Sequence, residues 1–228
     1  MAKNLLTPAF DVYEQMALDE VLAHSFDEEA VLRFYHWTLQ EAVTFGYGQF
    51  YQFVRKQTGD KIVCRRPTGG GIVFHAEDLT FSLVFQSPTG NPREIYARLH
   101  SAIEQSLIDQ ACLKSSRQTP VAAGAYAPTQ AGIAAGCFVN PVEDDLLLDG
   151  KKILGGAIRR FGNKILYQGS LQCAQARTNP QYRRAILHGM ENALQVKFQT
   201  AAVTDPILSQ ARQLAQNQYS TEAWNQKF

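Results

Sequence analysis

Tyr13, Met16, Ala17 and Val21 recur at helical spacing, so an amphipathic helix is predicted over residues 11–25. Residues 31–37 and 42–47 are rich in aromatic and β-branched side chains and predict strands. Residues 61–66 and 80–85 predict two more, with a glycine-rich turn between them. Ile95, Leu99, Ile103 and Leu107 mark a long helix over roughly 92–112. Residues 112–143 carry small residues and prolines without periodicity, and a connection of that length is more often functional than idle. The strongest hairpin pattern follows: Leu146-Leu147-Leu148, then Asp149-Gly150, then residues 151–160. Asp-Gly suits a type I′ turn, whose two central residues both need positive φ. A second turn at Gly162-Asn163 leads into residues 165–171 and completes a three-strand meander. Asn179-Pro180 predicts the cap and first residue of a helix, and Asp205-Pro206 predicts the same for another. With no internal repeat and no visible boundary, the pattern predicts an α+β fold with a mixed, largely antiparallel sheet flanked by helices, in one domain over residues 1–228.

Composition narrows the function classes. The chain is 45% hydrophobic and 19% charged, ordinary for one domain with a full core. Twenty-two Lys and Arg against 21 Asp and Glu leave a net charge of +1, which argues against broad nucleic-acid binding. The pairs Arg65-Arg66, Arg159-Arg160 and Arg183-Arg184 point to opposite faces if extended, so one arginine of each pair suffices for function. No apolar run is long enough to span a bilayer, and the N-terminal residues lack a signal-peptide core. The cysteines Cys64, Cys112, Cys137 and Cys173 form no C-x-x-C pair, so neither a zinc site nor a disulfide framework is expected, and a cytoplasmic location is.

Four places carry candidate chemistry. In Arg66-Pro67-Thr68-Gly69-Gly70-Gly71, three glycines either form a flexible turn or bring backbone close to a ligand, and spacing alone leaves both open. His75 follows after an apolar stretch, where a histidine is more often hydrogen-bonded structure than a base. Glu77 and Asp78 are assigned to a solvated turn. Cys137, preceded by Gly136 in the long connection, is expected as an accessible thiol, whereas Cys64, Cys112 and Cys173 fit small buried hydrophobes. Lys152 is the candidate cation to favour a thiolate; strand alternation puts it with Leu154 and Ile158, and Lys151 on the other face. It needs a partner if buried, or else snorkels to solvent. Gly155-Gly156 fits a bulge or a close backbone approach.

Together these segments resemble the biotin/lipoate protein ligase family, within it the lipoate and octanoate branch. The resemblance rests on Met16-Ala17-Leu18-Asp19-Glu20, Trp37 through Tyr47, Arg65 through His75, Lys152-Ile153-Leu154-Gly155-Gly156-Ala157 and Tyr167-Gln168-Gly169-Ser170-Leu171. It implies a catalytic domain related to class II synthetase cores. Arg66, Thr68, Gly69, Gly70, Gly71, His75, Gly155, Gly156, Ala157 and Gly169 would then bind the acyl substrate, and Lys152 would contact the reacting carbonyl. Cys137 stands 15 residues before Lys152, similar to the nucleophile of the cysteine-dependent octanoyltransferases. The run Ala76-Glu77-Asp78-Leu79-Thr80-Phe81-Ser82 is closer to the transferase form than to the His-Asp-x-Gly-Asn of ligases, and little chain follows for an accessory C-terminal domain. Gly71 is also the common ligase residue, a point on the other side.

The resemblance therefore implies octanoyl transfer from acyl carrier protein to a lysine of a lipoyl domain, such as glycine cleavage H protein, through Cys137 and Lys152. It implies no metal, no cofactor and no ATP, in a monomer. The alternatives are an ATP-dependent lipoate–protein ligase, an amidotransferase between lipoyl domains, and a non-catalytic acyl-binding relative.

Overall fold

A computed structural model describes residues 1–38, 41–87, 91–119 and 142–228. The apolar runs fold as strands and the 3.6-residue patterns as helices. In chain order these are β1 (Ala2–Leu6), α1 (Val12–Ser25), β2 (Ala30–Phe34), β3 (Ala42–Phe45), α2 (Tyr51–Thr58), β4 (Val63–Arg65), β5 (Val73–His75) and β6 (Leu79–Gln86). They continue as α3 (Pro92–Ala111), β7 (Ser116–Arg117), β8 (Leu146–Leu148), β9 (Lys151–Phe161), β10 (Lys164–Leu171), α4 (Pro180–Leu194), β11 (Phe198–Ala202) and α5 (Asp205–Leu214). A π-helical turn, Ala215–Tyr219, and a last helical turn, α6 (Glu222–Asn225), follow.

The main sheet has the order β11-β1-β2-β6-β10-β9-β8-β7. Only β1 pairs in parallel, with β11 and β2; the other neighbours are antiparallel. Alternation along β10 sorts the two faces. Ile165, Tyr167 and Leu171 pack with Leu99 and Ile103 of α3 and with Ile186 and Met190 of α4. Leu166 faces the opposite way, toward Leu18 and Leu22 of α1 and Ala211 of α5. A second sheet, β4-β3-β5, covers one end and packs Val43, Phe45 and Val63 against Val54 of α2. Among the described residues, no helix is long and apolar enough to cross a membrane.

The hairpin reading holds closely: Asp149 and Gly150 take φ of +50° and +75° between β8 and β9. Asn179 caps α4, its side chain accepting from the Gln181 N–H at 2.9 Å. Other expectations are corrected. The helix predicted over 11–25 is not one-sided: α5 and the π-helical turn pack on its apolar residues, while Gln15 and Asp19 are buried on the sheet side among Arg33, Ser82 and Gln168. Asp11 caps it in a reciprocal box with Glu14. Thr204, not Asp205, is the N-cap of α5, and it makes no side-chain cap bond. The strands predicted at 61–66 and 80–85 belong to different sheets, with β5 interposed after the glycines. Neither β1 nor β11 was expected.

Gly189 sits where α4 crosses α3, and an added Cβ would stand 2.7 Å from the Ile103 Cα and 2.9 Å from the Ala102 carbonyl oxygen. Gly189→Ala must push two backbones apart, which is expected to cost about 1–3 kcal/mol. Urea unfolding followed by circular dichroism should show a lower midpoint at unchanged slope; an unmoved midpoint would mean that the helices separate freely.

Candidate functional site

Where β9 meets β10, Gly156 lies opposite Gly169 and Gly155 opposite Ser170. An added Cβ on Gly156 would come within 2.3 Å of the Tyr167 ring, and one on Gly169 within 2.5 Å of the Phe81 ring. The missing side chains let those rings lie close across the strand pair, and the Tyr96 hydroxyl donates to the Gly156 carbonyl at 3.1 Å. On these strands opens a pocket with an empty volume of about 380 Å³. Gly155, Gly156, Ala157, Gln168, Gly169 and Ser170 line it, together with Met16, Tyr35, Thr44, Arg66, Val73, His75 and Thr80.

Two buried polar networks border the pocket. In the first, Arg66 Nη1 donates to Thr44 Oγ1 at 2.8 Å, and Thr44 Oγ1 lies 2.8 Å from His75 Nε2. His75 Nδ1 sits 2.9 Å from Asp78 Oδ2, which also accepts from the Thr80 and Ser170 hydroxyls. The Trp37 ring stacks on His75 at 4.7 Å. Burial alone would raise the Asp78 carboxyl, but the imidazole and the two hydroxyls outweigh it and hold it below its ordinary range. Asp78 is 4% exposed, so the solvated turn expected there is corrected: the carboxylate serves the histidine, while Glu77 alone faces solvent.

In the second network, Asp19 and Arg33 form a fully buried ion pair at 2.7 Å. Asp19 also accepts from Ser82 Oγ at 2.6 Å, from Gln168 Nε2 at 2.6 Å and from the Tyr35 hydroxyl. Burial and the Asp19 charge push the Tyr35 phenol well above its ordinary value, so it stays a donor. Thr68 Oγ1 donates to Gln168 Oε1 at 2.6 Å, tying the glycine turn to this network.

Lys152 is buried and paired, with Nζ 2.7 Å from Asp145 Oδ2 and both side chains nearly inaccessible. It does not snorkel. The register of β8 on β9 shifts between Leu146 and Leu147, so Leu147 pairs with Lys152 and Leu146 with Leu154. That irregularity breaks the expected alternation: an added Cβ on Gly155 would stand 2.3 Å from Lys152 Cε and 2.6 Å from Nζ, whereas Leu154 packs in the α3 core. Lys151 is exposed, as expected. Asp145 also accepts the Val142 N–H at 2.7 Å. Burial pushes the Asp145 carboxyl up, and the opposing pull of the Lys152 ammonium does not cancel it. Next to it, the Asp144 carbonyl meets His100 Nδ1 at 2.7 Å, and His100 Nε2 lies 2.8 Å from the Tyr167 hydroxyl.

Arg66, His75, Gly155, Gly156, Ala157 and Gly169 thus line one pocket, with the Lys152 head against the Gly155 wall. Thr68, Gly69, Gly70 and Gly71 stand outside that lining. The carbonyls of Gly69 and Gly71 accept from Arg66 Nη2, and Gly70 (φ +88°) presses its carbonyl where a Cβ on Gly46 would have to be. Arg65 points away from the pocket and binds the carbonyls of Gln49, Trp224 and Asn225. Cys137 lies outside the described residues. Cys64 is buried, whereas Cys112 is exposed, which corrects the buried role expected for it. Sequence reasoning missed Thr44, Asp78 and Asp145. The last was accessible: a buried lysine needs an anion, and Asp145 stands just ahead of the hairpin strand that pairs with Lys152. Among the described residues, no three His, Cys, Asp or Glu side chains gather as metal ligands.

Comparison with known proteins gives the family and the fold. The family described as the lipoyl protein ligase A/B catalytic domain matches residues 11–221. The octanoyltransferase LipM of Anoxybacillus flavithermus is 26% identical over 97% of this chain and 95% of that protein. LipM of Carboxydothermus hydrogenoformans is 31% identical over 72% of this chain and 61% of that protein. Among solved structures, T. acidophilum Ta0514 with bound lipoic acid aligns with a TM-score of 0.78 at 23% identity, covering 100% of both chains. Lipoate-protein ligase A bound with ATP aligns at 0.79 and 23% identity, over 99% of this chain and 98% of that one. At such identities the structural likeness speaks to the fold.

Burial holds the His100 ring down to a pKa of about 4, opposed by its bond to the Asp144 carbonyl and reinforced by the nearby Lys152 and Arg117 charges. The folded value is depressed, so this stability is fully present above about pH 6.5 and is lost as pH falls toward 4. Thermal midpoints measured from pH 7 to 4 should fall more steeply in the wild type than in His100→Gln. Parallel curves would contradict the assignment.

Proposed function

The chain belongs to the lipoyl protein ligase A/B catalytic-domain family, and from that premise we propose that it is an octanoyltransferase of lipoate biosynthesis. The reading is supported by the relatives named octanoyltransferase LipM. The observation that carries it is the Lys152 ammonium, fixed by Asp145 at the wall of a glycine-lined pocket. A fixed cation held away from bulk solvent stabilises negative charge on a carbonyl oxygen far better than one in solvent.

The proposed reaction has two transfers and needs no ATP. The thiolate of Cys137 attacks the thioester carbonyl of octanoyl-acyl carrier protein. The oxyanion formed is stabilised by Lys152, and its collapse expels the carrier thiolate, which takes up a proton. The octanoyl thioester on Cys137 is then attacked by the amine of a lysine on a lipoyl domain such as glycine cleavage H protein. A second oxyanion collapses, Cys137 leaves as thiolate, and the new amide nitrogen loses its proton. Glycine backbone along Gly155, Gly156 and Gly169 gives the acyl chain room. Arg66 and His75, locked through Thr44 and Asp78, hold the opposite wall. In this reading residues 1–228 work as one catalytic domain, monomeric, cytoplasmic and without a cofactor.

Mixing the protein with octanoyl-acyl carrier protein in the absence of ATP should add one octanoyl group to Cys137, detected by intact and peptide mass spectrometry. An apo lipoyl domain should then discharge it. The Cys137→Ala protein should take up none. A wild-type protein that stays unacylated, or that modifies the lipoyl domain only when ATP is supplied, would replace this reading with the ligase one.

A further inference from the structure

The Lys152 ammonium is held from outside its own strand. A lysine head is a point charge on a stem with four rotatable bonds, and nothing in the stem fixes where the charge sits. Two features of this site supply that. The Asp145 carboxylate meets Nζ at 2.7 Å in a place where neither group reaches solvent. Gly155, two residues past the register shift, leaves empty the position its Cβ would take, 2.3 Å from Lys152 Cε and 3.3 Å from Asp145 Oδ1. Gly155 has no positive φ to explain its being glycine, so the constraint comes from the lysine and not from its own backbone. Asp145 further accepts the Val142 N–H at 2.7 Å, which ties the chain just ahead of β8 to the same carboxylate.

We infer that Asp145 and Gly155 are positioning residues for Lys152: the carboxylate orients the ammonium and the absent side chain is the seat it occupies. The inference rests on the reading of Lys152 as the cation that serves acyl transfer, but its geometric part is separable. Gly155→Ala leaves both charges in the protein and evicts the head from its seat. The atoms in the way are the far end of a flexible side chain, so the variant folds. Asp145→Asn keeps the size and the acceptor for Val142 and removes the anion. In it the ammonium loses the carboxylate that orients it.

Both variants and the wild type are treated with acetic anhydride, and modification of Lys152 is read by peptide mass spectrometry against exposed Lys151 in the same digest. Lys152 acetylation is expected to rise about tenfold or more in each variant, as a sequestered amine becomes accessible. Single-turnover discharge of the octanoyl-enzyme is expected to slow by about 100-fold in Gly155→Ala, the scale for displacing a catalytic group by about 1 Å. In Asp145→Asn, which leaves the pocket lining untouched, binding of octanoyl-acyl carrier protein should be unchanged, so its loss falls on kcat and not on KM. Wild-type acetylation rates at Lys152 in Gly155→Ala overturn the inference whatever the activity, as does discharge at the wild-type rate with the lysine released. If the wild type proves to need ATP while Lys152 is still unmasked, the transferase reading fails and the positioning stands. Should Asp145→Asn not fold, Gly155→Ala decides alone.

Discussion

Where β9 and β10 face each other at Gly156 and Gly169, neither strand contributes a side chain, and the space above them goes to other groups. On one face it is taken by the rings of Tyr167 and Phe81, with Tyr96 and His100 packed behind. On the other, the strand backbone itself becomes pocket wall. A sheet gains little from such a pair, since glycine loses more backbone entropy on folding and offers nothing to pack. The rings repay it: each aromatic buries a large area, and Tyr167 reaches its hydroxyl to His100, which in turn grips the Asp144 carbonyl. The strand contact that clears the pocket thus also fixes the segment carrying Asp145, and through it Lys152.

Charge burial follows the same economy. Asp19 with Arg33, Asp78 with His75, and Asp145 with Lys152 all lie away from solvent, each completed by further donors or acceptors. A buried pair is weak evidence for stability, because desolvation offsets the attraction; losing one member costs about 3–5 kcal/mol. Such groups are therefore better understood as fixing geometry. Surface pairs such as Lys197 with Glu191 can be lost with little consequence. The three buried pairs differ in what they hold. Asp19 holds the pocket floor through Gln168, Asp78 holds an imidazole, and Asp145 holds an amine.

Features set by neighbouring residues were legible in the chain. Asp149-Gly150 announces its turn because two consecutive positive φ values admit few other residues, and Asn179-Pro180 announces its helix by capping chemistry. Features set by distant partners were not. β1 and β11 pair in parallel although nearly the whole chain separates them, and each is too short and mixed to stand out. Asp78 looks like a turn residue beside Glu77, and only the fold brings Ser170 and His75 around it. The register shift opposite Lys152 leaves no mark in periodicity either, so the right lysine was assigned to the wrong side of its strand.

The two cations of the site show why their identities are not interchangeable. The Arg66 guanidinium is a rigid fork, and it spends that shape on Thr44 Oγ1 and on two carbonyls of the glycine turn, so it orders the backbone around it. The Lys152 head is small enough for the gap that Gly155 leaves and is oriented by the Asp145 carboxylate. A guanidinium in that gap would be too broad for a seat in which even one added methyl group collides with the stem. A lysine at position 66 would reach one acceptor where three are now held in a plane. The glycines of the two motifs follow the same division: at 69–71 they supply carbonyls that a fork can gather, and at 155 the lack of a side chain makes the space a point charge needs.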